Sequence, residues 1–156
     1  MKILGIDPGM AIVGYGLVEF NNDEVALLSS GSIQTSKGVS DEKRLWDIFG
    51  DVCTLMETLK PDCVSIEKLF FFKNQKTIIP VAEARGVILA AVTKYGIPIY
   101  EYTPMEVKQI LTGYGRASKK EVEDMVQLSL NGVTLPKLDD TIDAIAIAIT
   151  HSRSIR

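Results

Sequence analysis

Hydrophobic periodicity along this chain changes its character once, and that order limits the folds open to it. Three runs of β-branched and apolar residues come first, at 2–7, 11–20 and 25–33, separated by the turn signals Pro8-Gly9 and Asn21-Asn22-Asp23. They predict an antiparallel meander of three strands. A helical period follows over 41–60, where Leu45, Phe49, Val52 and Met56 recur behind Ser40 as N-cap, with Asp41 and Glu42 in the first turn and Pro61 beyond the end. Strand and helix then alternate: "CVSIE" at 63–67, a helix over 76–95, a strand over 97–102, and helices over 104–111, 118–130 and 139–151. "FFFKNQKT" reads as a loop, and the glycine-bearing link 113–118 as a flexible one. Strands joined through helices pair in parallel, with the crossover helix packed on a face of the sheet. The expected fold is therefore α/β, a central mixed five-stranded sheet flanked by helices on both faces.

A chain of 156 residues, 46% apolar, is sized for a single domain spanning 1–156. It contains no window of eighteen uninterrupted apolar residues, and Met1-Lys2 leads into a strand without the zones of a signal peptide. A soluble, cytoplasmic protein without a membrane partner is expected. Cys53 and Cys63 have apolar neighbours and lack metal-site spacing, so they read as small core residues. The helix over 76–95 is apolar almost all round, which calls for complete burial or for a second copy against it. The reading taken here is a symmetric homodimer through this helix.

The net charge of −3 argues against a polyanionic partner, yet the charges are unevenly spread. Segments 1–66, 67–93, 94–120 and 121–156 carry −5, +2, +3 and −3. The basic middle is either a solvated surface or a phosphate-facing patch.

Four carboxylates carry the chemistry. Asp7 ends an apolar strand in "DPG", which fits a type II turn with Gly9 at positive φ. The second glycine-bearing stretch, "VGYG" at 13–16, would leave room for a ligand to approach Asp7. Glu67 ends "VSIE", either reaching water or serving a site. In "LDDTIDAIAIAIT", Asp140 can be an N-cap and Asp143 its third-position partner, and the pair shares one helix face; Asp139 is unassigned. Three separate elements thus each deliver a carboxylate at an end, where an α/β sheet gathers such ends. Crowded carboxylates raise one another's pKa and call for cations. Oxygen donors without nearby His or Cys favour Mg²⁺ or Mn²⁺, and two such ions can assist phosphodiester hydrolysis.

In "GIDPG" at 5–9, "GYG" at 14–16, "IEKLFFFKN" at 66–74, "EARGV" at 83–87, "VKQ" at 107–109 and "DTIDAIAIAITH" at 140–151, the chain resembles the RuvC family of Holliday junction resolvases, within the RNase H-like nucleases. The resemblance implies a homodimer that nicks opposing strands of a four-way DNA junction with Mg²⁺ or Mn²⁺, two ions per active site. It implies Asp7, Glu67, Asp140 and Asp143 as catalytic metal ligands, and a branch-migration motor of the RuvA and RuvB type as partner. It also places Phe70 as a ring stacking on an unpaired base.

Phe70, Phe71 and Phe72 cannot all enter one core if extended, because alternate side chains face opposite ways. At least one is expected outside, beside Lys73 and Lys76. Lys108 and Lys119 match family lysines near the cut strand, and Arg116 and Lys120 extend the same basic stretch. Arg85, within the apolar helix, is expected either to be paired, in the neighbourhood of Glu83 or with another chain, or to face phosphate. His151 lies two turns beyond Asp143 and reads as a C-terminal helix cap. Competing readings are an RNase H-like nuclease acting on RNA or hybrids, an actin-like nucleotide module, and a DNA-binding protein without activity.

Overall fold

The computed structural model describes residues 1–69 and 75–155, leaving the side chains of 75–77 undescribed. In chain order the elements are β1 (Lys2–Asp7), β2 (Ile12–Asn21), β3 (Glu24–Gln34), α1 (Asp41–Leu59), β4 (Cys63–Glu67), α2 (Gln75–Lys94), β5 (Ile99–Tyr102), α3 (Pro104–Thr112), α4 (Lys119–Ser129) and α5 (Asp139–Ser154). The five strands form one sheet in the order β3-β2-β1-β4-β5. β1, β2 and β3 are the antiparallel meander, and β1, β4 and β5 pair in parallel. The expected mixed α/β sheet is present.

Strand alternation decides which residues meet which helices. Leu4 and Ile6 of β1, with Val64 and Ile66 of β4, face a core shared with Ile48 and Val52 of α1 and Ile88 and Val92 of α2. Ile3 and Cys63 face the opposite core, with Val107, Leu111, Val126 and the apolar run of α5. Gly5 and Asp7 therefore belong to the α5 side, and so do Ser65 and Glu67. Both cysteines are buried and free, as their neighbours imply.

The first core rests on a well-capped α1. Ser40 Oγ accepts from the Lys43 backbone N–H at 3.4 Å, and Lys60 ends the helix at φ 48°. On the other face α5 lies so close to the sheet that side chains are excluded at Gly5, Gly14 and Gly16 beneath it. A methyl group on Gly5 would strike the Ala144 carbonyl, and one on Gly14 the Asp140 carbonyl. The glycines of "VGYG" thus admit a helix of the same chain, not a ligand, which corrects the sequence expectation. Ser65, a polar residue between the apolar Val64 and Ile66, is fully buried and donates to the Ile147 carbonyl at 3.0 Å, fastening α5 to β4.

Other expectations are revised as well. Gly9 does not have a positive φ; it is required because a Cβ there would meet the Ile12 carbonyl. The link 113–118 is pinned, with Gln109 Nε2 donating to the Gly113 carbonyl at 3.0 Å and the Tyr114 N–H to Thr112 Oγ1 at 3.1 Å. The cap of α5 is Leu138, without a side-chain hydrogen bond, so Asp140 stands inside the first turn and is no N-cap. His151 caps nothing. It is buried, its ring stacked on Tyr100 with centroids 4.1 Å apart and its Nδ1 2.8 Å from the Tyr102 hydroxyl.

Along α2 only one stripe is covered, with Ala84, Ile88, Ala91 and Val92 buried and Ile79 65% exposed. A helix of this composition with an open apolar side is not buried all round by its own chain. No helix among the described residues is long and apolar enough to cross a membrane.

Candidate active site

Asp7 ends β1, Glu67 ends the parallel strand β4, and the start of α5 carries Asp140 in its first turn and Asp143 three residues on. The register explains their meeting. Asp7 pairs with Gly14, and the absence of a side chain at Gly14 lets the backbone of Asp140 settle directly over that pair. Two strand ends and a helix start thereby converge at one rim of the sheet.

The electrostatics of this rim are those of crowded negative charge only partly offset by Lys108 and Lys119. Asp7 is pushed up to about 8, mainly by burial, then by the charges of Glu67, Asp143 and Asp140, and last by a hydrogen bond with Asp140. Glu67 is raised by burial and by Asp143, while a hydrogen bond from Asp7 and the charge of Lys108 hold it down. Asp143 is raised by burial first; Lys119 opposes the shift, whereas Asp140, Asp139 and Glu123 add to it. Without a cation, Asp7, Glu67 and Asp143 hold their protons more tightly than ordinary carboxylates do.

The donor set fits hard divalent cations, since the coupled groups are carboxylates and the nearest imidazole, His151, is engaged with Tyr102. As the side chains stand, no three of them among the described residues surround a common ligating point.

Beside the carboxylates opens a cleft of about 240 Å³ whose lining includes Glu67, Lys108, Lys119, Val122 and Asp143. Lys119 Nζ lies 3.1 Å from Asp139 Oδ2 and 3.9 Å from Asp143 Oδ2. Of the basic residues singled out in the sequence, Lys108 and Lys119 thus flank the carboxylates. Lys120 instead pairs with Asp124 one turn along α4 at 2.9 Å, and Arg116 is exposed on the pinned link. Arg85 is turned inward, with Nε donating to the Glu67 carbonyl and Nη2 beside Glu101. Arg85 is thus paired, but with Glu101 of β5 and not in the neighbourhood of Glu83 or with another chain, because the side chain reaches across the end of β4 to the edge strand. Phe70 and Lys73 lie outside the described residues, as does the side chain of Lys76.

Sequence reasoning missed Ser65, Glu101 and the pairing of Asp139 with Lys119. A polar residue inside "CVSIE" was the available signal for Ser65. Glu101 had none, because nothing local ties a strand residue to an arginine on a preceding helix.

The profile of the family described as crossover junction endodeoxyribonuclease RuvC matches residues 3–151. The crossover junction endodeoxyribonuclease RuvC of Brevibacillus brevis is 50% identical over 153 residues, covering 98% of this chain and 92% of that one. The RuvC of Halothermothrix orenii is 47% identical over 156 residues, covering 100% of this chain and 94% of that protein. Thermus thermophilus RuvC, solved alone and in complex with a Holliday junction substrate, superposes with a TM-score of 0.92 at 34% identity. It covers 100% of this chain and 96% or 95% of those chains. A family match over residues 3–151, 50% identity to the Brevibacillus brevis protein along 98% of the chain, and a fold superposing on Thermus thermophilus RuvC establish the relationship: the chain belongs to the RuvC family of crossover junction endodeoxyribonucleases.

Proposed function

We propose that this protein is a metal-dependent endodeoxyribonuclease that resolves four-way DNA junctions by hydrolysing a phosphodiester in each of two opposing strands. The single observation that carries the reading is the coupled carboxylate cluster of Asp7, Glu67, Asp140 and Asp143 opening onto a cleft lined by lysines. Mg²⁺ or Mn²⁺, two ions per site, are the cations this donor set suits. Bound there, they supply polarisation of the phosphodiester and activation of the attacking water.

The chain's own residues do the rest. Asp7, held at the end of β1, and the Asp140–Asp143 face of α5 fix where the cations sit, with Glu67 facing them from β4. Lys108 and Lys119 bring positive charge to the cleft wall, where they draw in the phosphate backbone and offset charge developing at the cut. Arg116 and Lys120 extend that field along the exposed surface, and Lys73 and Lys76 belong to the same basic middle of the chain. Phe70 is the ring assigned to stack on an unpaired base near the junction centre.

Paired cuts require two sites held at a fixed spacing, and the open apolar side of α2 supports a symmetric homodimer. A branch-migration motor of the RuvA and RuvB type is the assigned partner on DNA, and the cytoplasm the assigned compartment. The test is a synthetic four-way junction incubated with wild type and Asp7→Asn, with and without Mg²⁺. Cleavage only by wild type with Mg²⁺, and junction binding by both, supports the reading. Equal cleavage by the variant, or activity restricted to RNA-containing substrates, refutes it.

A further inference from the structure

The guanidinium of Arg85 has no part in the chemistry above, yet it is far more deeply placed than the Lys119 ammonium, 14% against 57% exposed. It joins three elements. From α2, Nε donates to the backbone carbonyl of Glu67 at 3.1 Å, and Nη2 stands 3.1 Å from Oε2 of Glu101 on β5. The second contact is an ion pair outside hydrogen-bonding geometry, so Nη2 is a buried nitrogen without a hydrogen-bond partner among the described residues.

For stability alone this is a poor arrangement, because an apolar side chain would fill the space without desolvating a charge. Its use lies in what it grips. The ladder between β4 and β1 ends at Ile66, and Glu67 is paired only with Tyr102 of the edge strand β5. One residue further, the Lys68 N–H donates to the Tyr102 carbonyl at 2.8 Å. The Glu67 carbonyl projects where no β1 residue can take it, and Arg85 takes it instead. The arginine acts through the backbone, since the cation that lowers the Glu67 carboxyl is Lys108.

We propose that Arg85 is a positioning residue for Glu67, clamping the end of β4 to α2 and β5 so that the Glu67 carboxylate is held toward the cation site. This rests on the reading of the carboxylates as metal ligands. Outer partners that orient ligating carboxylates contribute about 10–100-fold to metal affinity or activity.

The experiment compares the full-length protein with Arg85→Lys, Arg85→Met and Glu101→Gln. It measures Mn²⁺ binding without DNA by calorimetry, junction affinity in EDTA, and single-turnover cleavage at saturating junction across a Mn²⁺ series. Arg85→Met is expected to bind Mn²⁺ about 10–100-fold more weakly and to cleave more slowly, with part of the rate restored by excess Mn²⁺ and junction affinity unchanged. Glu101→Gln, which keeps the Nε bond, shows a smaller loss in the same direction, and Arg85→Lys falls between. Should Arg85→Met fail to fold, the other two variants carry the test, and both must weaken Mn²⁺ binding. Unaltered Mn²⁺ binding in the variants overturns the proposal, as does weakened junction binding with a normal rate at saturation, which would make Arg85 a phosphate contact. Absence of Mn²⁺ binding by wild type overturns the metal-site reading itself.

Discussion

The carbonyl of Asp140 rests on Gly14, the residue that pairs across the ladder with Asp7, and this contact sets the distance between α5 and the strand end. A methyl group at position 14 cannot be accommodated by moving a side chain, because what it meets is helix backbone. Gly14→Ala is expected to lift the start of α5, lowering stability by about 1–3 kcal/mol as overpacking does. Cleavage should fall far more than the loss of folded protein explains. Thermal unfolding and single-turnover cleavage on the same preparation check this.

Asp7 links stability to pH in the metal-free protein. Its carboxyl lies near 8 in the folded chain against an ordinary 3.8, and Glu67 and Asp143 are displaced in the same direction. The folded state holds these protons more tightly than the unfolded chain, so their contribution is greatest below about pH 4, is lost as pH rises, and is gone above about 8. Asp7→Asn removes the largest part of that loss. At pH 8 in EDTA the variant is expected to melt several degrees above wild type, given about 2–4 °C per kcal/mol for a domain of this size. Added Mn²⁺ should raise the melting temperature of wild type and leave the variant nearly unmoved.

Lys119 holds down the carboxyl of Asp143, which burial raises. Removing the lysine raises Asp143 further, so its ionised form is reached only at higher pH. Lys119→Met is expected to shift the acidic limb of the pH–rate profile upward, in addition to lowering the plateau. A profile of cleavage at saturating junction and fixed Mg²⁺ measures both effects.

The uncovered side of α2 gives a test of assembly that leaves the site alone. Ile79 is 65% exposed, and Trp46, the sole tryptophan, is 66% exposed beside Val87 and Ala90 of the same helix. Ile79→Asp is expected to yield a folded monomer by sedimentation, whereas wild type sediments as a dimer. The blue shift of Trp46 emission on concentrating wild type should be absent from the variant. Paired cuts should give way to isolated nicks.

The strand and helix pattern was legible because each element announces its own period and ends. Ser40, Pro61 and the turn Asn21-Asn22-Asp23 mark boundaries within a few residues of those found. The carboxylates were legible as a set because Asp7 and Glu67 each close an apolar run, a place where a charge stands out. What local pattern could not reveal was packing across the sheet. Gly14 and Gly16 look the same in sequence whether a ligand or a helix comes down on them. Asp140 satisfies the N-cap preference in composition, but Asp139 already begins the helix. His151 resembles a cap by position, yet its ring finds Tyr102 and Tyr100, residues roughly fifty positions earlier.

The most direct test of the central claim is anomalous diffraction from crystals of wild type soaked in Mn²⁺. Mn²⁺ peaks are expected enclosed by Asp7, Glu67, Asp140 and Asp143, and are expected to be lost in Asp7→Asn. Mn²⁺ found only elsewhere, in protein that cleaves junctions with that ion, would contradict it.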